Sequence, residues 1–323
     1  MKTLLKKAKG QPALRLAGYA WLIERYGLEV IPNWHKSMVG AKGTHHVISK
    51  ENVVEEVYPT RSWPGDTLSD HLEFALKHDG TNLAIFARLF QKVGMEDLLE
   101  YIRSKPTSKY ARRIWFLYEF LTGTSLSLDD LKVGNYVDLL EPDEYYTLTP
   151  GHRVRRQRVN DNMLGDESFC PVVRRTETLR HYEHANLPYR CQQVVSGYSP
   201  EMLKRALRYL YSKETKSSFE IERIKPTSTR TERFVTMLQL AEKEDFCSKD
   251  RLIEAQNHIV DPRFRDPDYR SSQNYVGETI AWQEEKIHYV PPKPEDLPGL
   301  MEGLLAAHEY MEAGQLSGIA LST

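Results

Sequence analysis

Residues 108–123, SKYARRIWFLYEFLTG, constrain the fold of this chain more than any other stretch. Tyr110, Ile114, Leu117 and Leu121 recur every three or four positions, which places them on one face of a helix. Ser108 stands where a helix cap belongs, and Gly123 is a residue type that ends helices. An apolar stripe of this kind has to be covered, so a helix packed into a core is expected here. Similar signals recur along the chain. A first helix is expected from about Pro12 to Gly27. Residues 68–93 give two helical pieces broken at DGTN (79–82), the second carrying Leu83, Phe86 and Phe90 and ended by Gly94. HHVISKENVVEEVYP (45–59) interrupts this pattern with β-branched residues and suggests a hairpin beside the N-terminal helices.

Residues 124–198 are rich in turn formers and charges and read as irregular connecting structure with short strands. A second helical block follows. Ser199-Pro200 opens a helix to about residue 222, with Met202, Ala206, Leu210 and Tyr211 as its expected buried side. Thr231 opens another, with Phe234, Met237, Leu238 and Ala241 inward, and Ser248 opens a third through Ile259. After a proline-punctuated loop, a hairpin is expected over 275–290. A last helix carries Leu300, Met301, Leu304, Leu305 and His308, with Glu295 and Asp296 at the positive end of its dipole.

Length and composition set the broad class. A chain of 323 residues accommodates two or three domains, and 40% hydrophobic with 28% charged residues is the balance of a soluble globular protein. The formal net charge of −1 gives no overall field toward nucleic acid or an anionic membrane. Arg15, Glu24 and Arg25 interrupt the apolar N-terminal stretch, so neither a secretory signal nor a membrane span is expected. Three widely spaced cysteines (Cys170, Cys191, Cys247) fit reduced thiols and a cytoplasmic location.

The helix that begins near Ser199 ends in KSSFEIER (216–223), where Ser218-Phe219-Glu220-Ile221-Glu222 forms S-x-x-x-E. This stretch resembles the inhibitory helix of Fic-family proteins, many of which transfer AMP from ATP to a hydroxyl of a target protein. Arg223 departs from the Gly or Asn that the family usually has next. The resemblance implies regulatory roles for Ser218 and Glu222. In the family the glutamate pairs with an arginine that would otherwise hold the γ-phosphate, a strong charge-assisted contact. QNYVGE (273–278) and KIHYVPPKPEDLPGLMEGLL (286–305) resemble the family's flap and the helix after it, in family order over about residues 199–312. That implies a flap built on Gln273, Asn274, Tyr275, Ile287, His288 and Tyr289, which docks a target protein by adding a strand. GNYVDLL and RVNDNMLGDESFCPVVRRT also resemble the N-terminal extensions of larger Fic proteins.

The family's H-x-F-x-D/E-G-N-G-R catalytic motif does not occur in these 323 residues. HEYMEAG (308–314) has a suggestive spacing of His308, Tyr310 and Glu312 but no G-N-G-R, and it reads as the end of a helix. No catalytic and no metal-binding residue is therefore assigned. ATP and Mg²⁺ are implied by the family alone, and productive binding by this chain alone is not expected. The expectation is either the front part of a longer Fic protein or a shortened copy whose partner arginine comes from another chain.

Two weaker constellations remain. Cys170, His181, His184 and Cys191 could be zinc ligands, but no close Cys-x-x-Cys pair is present, and ordinary surface histidines are the expectation. The run HRVRRQRV (152–159) could touch phosphates, or it could be an exposed face paired with the acids that follow, Asp161, Asp166 and Glu167. The second is expected, so nucleic acid is not expected as a partner. The whole reads as a mainly α protein. Residues 1–190 form a helical extension with a small β element. Residues 191–323 carry the inhibitory helix and the first half of a Fic-like helical domain with a β-hairpin flap. The expected partners are a target protein and, alternatively, a catalytic Fic domain in trans. The rival expectation is a non-enzymatic module, either antitoxin-like or associated with nucleic acid.

Overall fold

A computed structural model describes residues 14–41, 46–50, 53–221, 247–260, 265–281 and 284–314, with a few isolated positions between them. The protein is mainly α. It divides into two compact units between Met163 and Leu164, whereas the sequence pattern suggested a division at 190.

The first unit opens with a short strand β1 (Arg15–Ala17) and helix α1 (Gly18–Tyr26). Helix α1 therefore starts later than the expected Pro12. Arg15, Leu16 and Ala17 pair antiparallel with β2 (His35–Ala41), and Gly18 turns the chain into the helix at φ +58°. The hairpin expected at 45–59 is present as β3 (His46–Lys50) and β4 (Val53–Pro59). It belongs to a larger sheet in the order β1-β2-β4-β3, in which β2 and β4 run parallel.

Helix α2 (Leu68–Phe74) is opened by a capping box between Thr67 and Asp70. It runs on into a π turn, Ala75–Asp79. Asn82 then caps α3 (Leu83–Phe90) by accepting from the Ile85 N–H. Gly94, expected only as a stop, instead occupies the cap position of a further helix, α4 (Met95–Ser104). Helix α5 (Lys109–Thr122) fills the span expected of it, and Gly123 ends it in the left-handed conformation. Leu22, Leu72, Ile85, Phe86, Leu89, Leu98, Ile102, Ile114 and Trp115 from these helices are buried together.

Three short strands follow, β5 (Val137–Asp138), β6 (His152–Val154) and β7 (Val159–Asp161), in the order β5-β7-β6. They are held to α5 by Glu119. Its carboxylate accepts from Trp115 Nε1 (2.8 Å), the Leu126 N–H (2.8 Å), Gln157 Nε2 (2.6 Å) and the Arg156 guanidinium (3.1 Å).

The centre of the unit is polar. Alternation along β2 and β4 puts His35, Ser37, Glu56 and Tyr58 on one face of the sheet, and Asp79 reaches that face from the end of the π turn. Asp79 is fully buried. Its Oδ2 accepts from the Tyr19 N–H (2.9 Å), so it caps α1 from a distant part of the chain. Its Oδ1 accepts from His35 Nδ1 (2.9 Å) and from the Ser37 hydroxyl. His35 Nε2 reaches Glu56 Oε2 at 2.8 Å, and the Tyr58 hydroxyl donates to the same carboxylate. Two carboxylates, one on each ring nitrogen, call for the doubly protonated imidazolium. Burial opposes that charge, but the bonds to Asp79 and Glu56 outweigh it and raise the His35 pKa. Gly18 is required by this arrangement, because a Cβ there would stand 1.9 Å from Asp79 Oδ2.

His71 is the opposite case. It is buried, stacked on Trp21 with 3.8 Å between ring centroids and edge-on to Trp63. Burial holds its pKa down to about 4, against the pull of the nearby carboxylates Asp70 and Asp66.

The second unit contains α6 (Glu177–His184), α7 (Leu187–Val195), α8 (Pro200–Ile221), α9 (Lys249–Ile259), the hairpin β8 (Val276–Ala281) and β9 (Glu284–Tyr289), and α10 (Leu297–Ala313). Helices α6 and α7 lie in the stretch expected to be irregular. The helix expected after Thr231, with Phe234, Met237, Leu238 and Ala241, lies outside the described residues. The expected buried side of α8 is not covered by the described residues: Met202 is 54% exposed and Leu210 49%.

Replacing Asp79 with alanine leaves His35 buried with one counter-ion and α1 without its cap. We expect a loss of roughly 3–5 kcal/mol, as for other broken buried pairs, read by urea unfolding through tryptophan fluorescence. A loss below about 1 kcal/mol would contradict the role given to Asp79. The two histidines also predict a stability maximum near neutral pH. The raised His35 pKa contributes stability that is complete below its unfolded value of about 6.5 and is lost as pH rises through its folded value. The lowered His71 pKa contributes stability that is complete above about 6.5 and is lost as pH falls toward 4. His71→Phe should flatten the acid limb alone.

Candidate functional site

The β8–β9 hairpin gathers all six expected flap residues into one small structure. Val276 pairs with Tyr289 and Gly277 with Ile287 in an antiparallel ladder. The two strands form a sheet of their own, and every residue of β9 is exposed. Tyr275, Val276, Ile280, Ile287, Tyr289 and Val290 all present large apolar side chains to the exterior, Ile287 at 54% and Tyr289 at 57%. An isolated two-stranded hairpin in water is marginally stable at best, so its local ties carry weight.

Those ties lie at its base and along one face. Gln273 Nε2 donates to the carbonyls of Asn274 (2.9 Å) and Pro291 (3.1 Å). The Arg270 guanidinium donates to the carbonyls of Ser272 (3.0 Å) and Pro292. Pro291 and Pro292 have no N–H to continue the ladder, so they end β9 and offer only carbonyls, which these two side chains take up. The Tyr275 hydroxyl donates to Glu285, which raises the phenol pKa. His288 Nε2 lies 3.2 Å from Glu278 Oε1 and Lys286 Nζ lies 3.6 Å from it. Arg270 is the residue that sequence reasoning missed here. The signal for it was the pair of prolines, whose unpaired carbonyls require donors.

The other expected residues are placed as follows. Ser218 lies in the last turn of α8, and its side chain is not among those described. Glu222, one position beyond Ile221, lies outside the described residues. HEYMEAG forms the last turns of α10, where His308 Nε2 lies 3.3 Å from Glu312 Oε1 at the i,i+4 spacing. Among the described residues no group of three or more His, Cys, Asp or Glu side chains is placed to share a metal ion, so Cys170, His181, His184 and Cys191 are not brought together as ligands. None of the described helices is long and apolar enough to cross a membrane.

The arginine run departs from the expected pairing with the acids that follow it. Arg156 pairs with Glu119 and Asp130, both at 3.1 Å. Asp161, partly buried, has its pKa raised by that burial and accepts from the Met163 N–H. Arg153, Arg155 and Arg158 have no carboxylate within ion-pair distance among the described residues.

No protein-family model, no curated protein and no solved structure matches this chain.

The base of the hairpin yields a direct check. Replacing Gln273 and Arg270 together with alanine removes the side-chain bonds to Pro291 and Pro292. Each such bond is worth about 1 kcal/mol, so amide exchange across Val276–Ala281 should accelerate by roughly tenfold or more. An unchanged exchange rate would show that these ties do not hold the hairpin.

Proposed function

We propose that this chain carries the regulatory helix and the target-docking hairpin of a Fic-type protein adenylyltransferase. The observation that carries the reading is the β8–β9 hairpin, with apolar side chains exposed and no third strand among the described residues. Such a ladder has main-chain donors and acceptors free on its outer edges, which is the requirement for capturing an extended peptide as an added strand. Side chains alternate along it, so Tyr275, Ile287 and Tyr289 would select among target segments while the backbone supplies affinity. The element order supports the same reading: a long helix ending at Ile221, a shorter helix, the hairpin, two prolines and a helix.

Within this reading Glu222 supplies a carboxylate to a guanidinium that would otherwise hold a phosphate. The residues of this chain do not fit a nucleotide site of their own. His308 is engaged by Glu312 within a helix, and no glycine-rich phosphate loop occurs in the sequence. ATP and Mg²⁺ are thus assigned to a catalytic domain and not to these residues.

The test separates docking from catalysis. Purified chain with labelled ATP and Mg²⁺ should label neither itself nor a target. Added to an active Fic-type domain, it should slow AMP transfer, and Glu222→Ala should abolish the slowing. Target peptides should protect β8 or β9 amides from exchange, and Ile287→Pro, which removes a strand donor, should eliminate that protection. AMP transfer by the chain alone, or inhibition indifferent to Glu222, would overturn the proposal.

A further inference from the structure

The loop Leu131–Tyr136 in the first unit has a peculiar hydrogen-bond economy. Arg158 donates through Nε to the Leu131 carbonyl (3.0 Å), through Nη1 to Gly134 (2.8 Å) and through Nη2 to Lys132 (2.7 Å). Arg112, almost fully buried, donates to the carbonyls of Asn135 (2.7 Å) and Thr107 (3.2 Å). Four carbonyls of the loop are thereby tied to two guanidiniums. Neither guanidinium has a carboxylate partner among the described residues. Burying an arginine against carbonyls alone leaves its charge uncancelled, and the field emerges where the loop meets solvent.

The loop's donors are left over. The N–H groups of residues 132–136 have no acceptor among the described residues, and Lys132, Val133, Gly134 and Asn135 are exposed. The β6–β7 hairpin brings further cations alongside. The Arg153 guanidinium stands 5.3 Å from the Tyr136 ring centroid and that of Arg158 5.7 Å. Arg153 and Arg155 are exposed. Arg158 is held at φ +49°, a left-handed conformation that a non-glycine residue adopts at a cost. Its three bonds to the loop account for that strain.

From this juxtaposition of unpaired backbone donors and uncancelled guanidiniums we infer a binding surface for the phosphodiester backbone of nucleic acid. Consecutive free N–H groups and spread cations are the two components of backbone-directed anion recognition. The dispersion of Lys132, Arg153 and Arg155 over a loop and the β6–β7 hairpin suits a chain of phosphates better than a single one, since small-ligand sites are concave and enclosed. The half-buried Tyr136 ring between them offers a face for a base. The sequence gives no base-reading motif, so binding should be sequence-independent. It rests on the first unit alone and stands or falls separately from the Fic-type reading.

Fluorescence anisotropy with labelled oligonucleotides of about 20 nucleotides, single-stranded and duplex, tests the inference over roughly 50–200 mM salt. We expect binding that weakens linearly in log Kd against log salt. Arg153→Ala with Arg155→Ala should weaken single-strand binding by about tenfold or more and lower the salt slope by about 1.4, the contribution of two phosphates. Both side chains are exposed, so an unchanged thermal unfolding curve would show that the variant folds. Lys132→Glu provides a second variant with the same expected direction. Absence of binding at about 50 mM salt, equal binding by the double variant, or capture of a phosphopeptide in preference to the oligonucleotide would each overturn the proposal.

Discussion

The first unit depends on one buried carboxylate. Asp79 accepts the N–H of Tyr19, the imidazole N–H of His35 and the hydroxyl of Ser37, while its own carbonyl accepts from Asn33. Through these bonds a single side chain joins the start of α1, the central strand β2 and the end of the α2 π turn. His35 extends the connection to Glu56 and Tyr58 on β4. Such a charge is tolerated in a core only because an imidazolium and a helix N-terminus face it. The surrounding geometry follows. Gly18 has no Cβ because the carboxylate occupies that space, and the π turn supplies the extra residue that brings Asp79 to the sheet.

The second unit is organised differently. Its described helices carry large apolar side chains that face outward, including Tyr189, Val194, Met202, Tyr209 and Leu210, with Tyr209 at 68% exposure. Among its described residues Leu164 and Ala307 are the buried hydrophobics. Exposed apolar surface of this extent marks contact surfaces. It agrees with a unit whose proposed role is to engage other polypeptide: the hairpin a target segment, and α8 a catalytic domain.

Local signals in the sequence were legible where the determinant was local. Ser108 and Gly123 bound α5, and the paired prolines Pro291 and Pro292 marked the end of the hairpin. The failures have a common cause. Gly94 served as a cap and not a stop because Met95–Ser104 buries Leu98 and Ile102, and the helix that carries them packs on α2 and α5. DGTN looked like a mere break, yet Asp79 and Asn82 act through partners at positions 19, 33, 35 and 37. The arginine run looked self-compensated because acids followed it closely. Arg156 instead found Glu119 and Asp130, which lie earlier in the chain. Polar residues that cross-link separate elements leave no periodic trace, and this fold is governed by several of them.

The charge state of His35 tests the account most directly. Nitrogen-15 chemical shifts of the His35 ring, followed through a pH titration, report whether one or both nitrogens carry a proton. A ring held between Asp79 and Glu56 should remain doubly protonated at neutral pH and release its proton above the ordinary histidine range. A neutral tautomer at pH 7, with one nitrogen bare, would contradict the ion-paired core on which this unit's architecture rests.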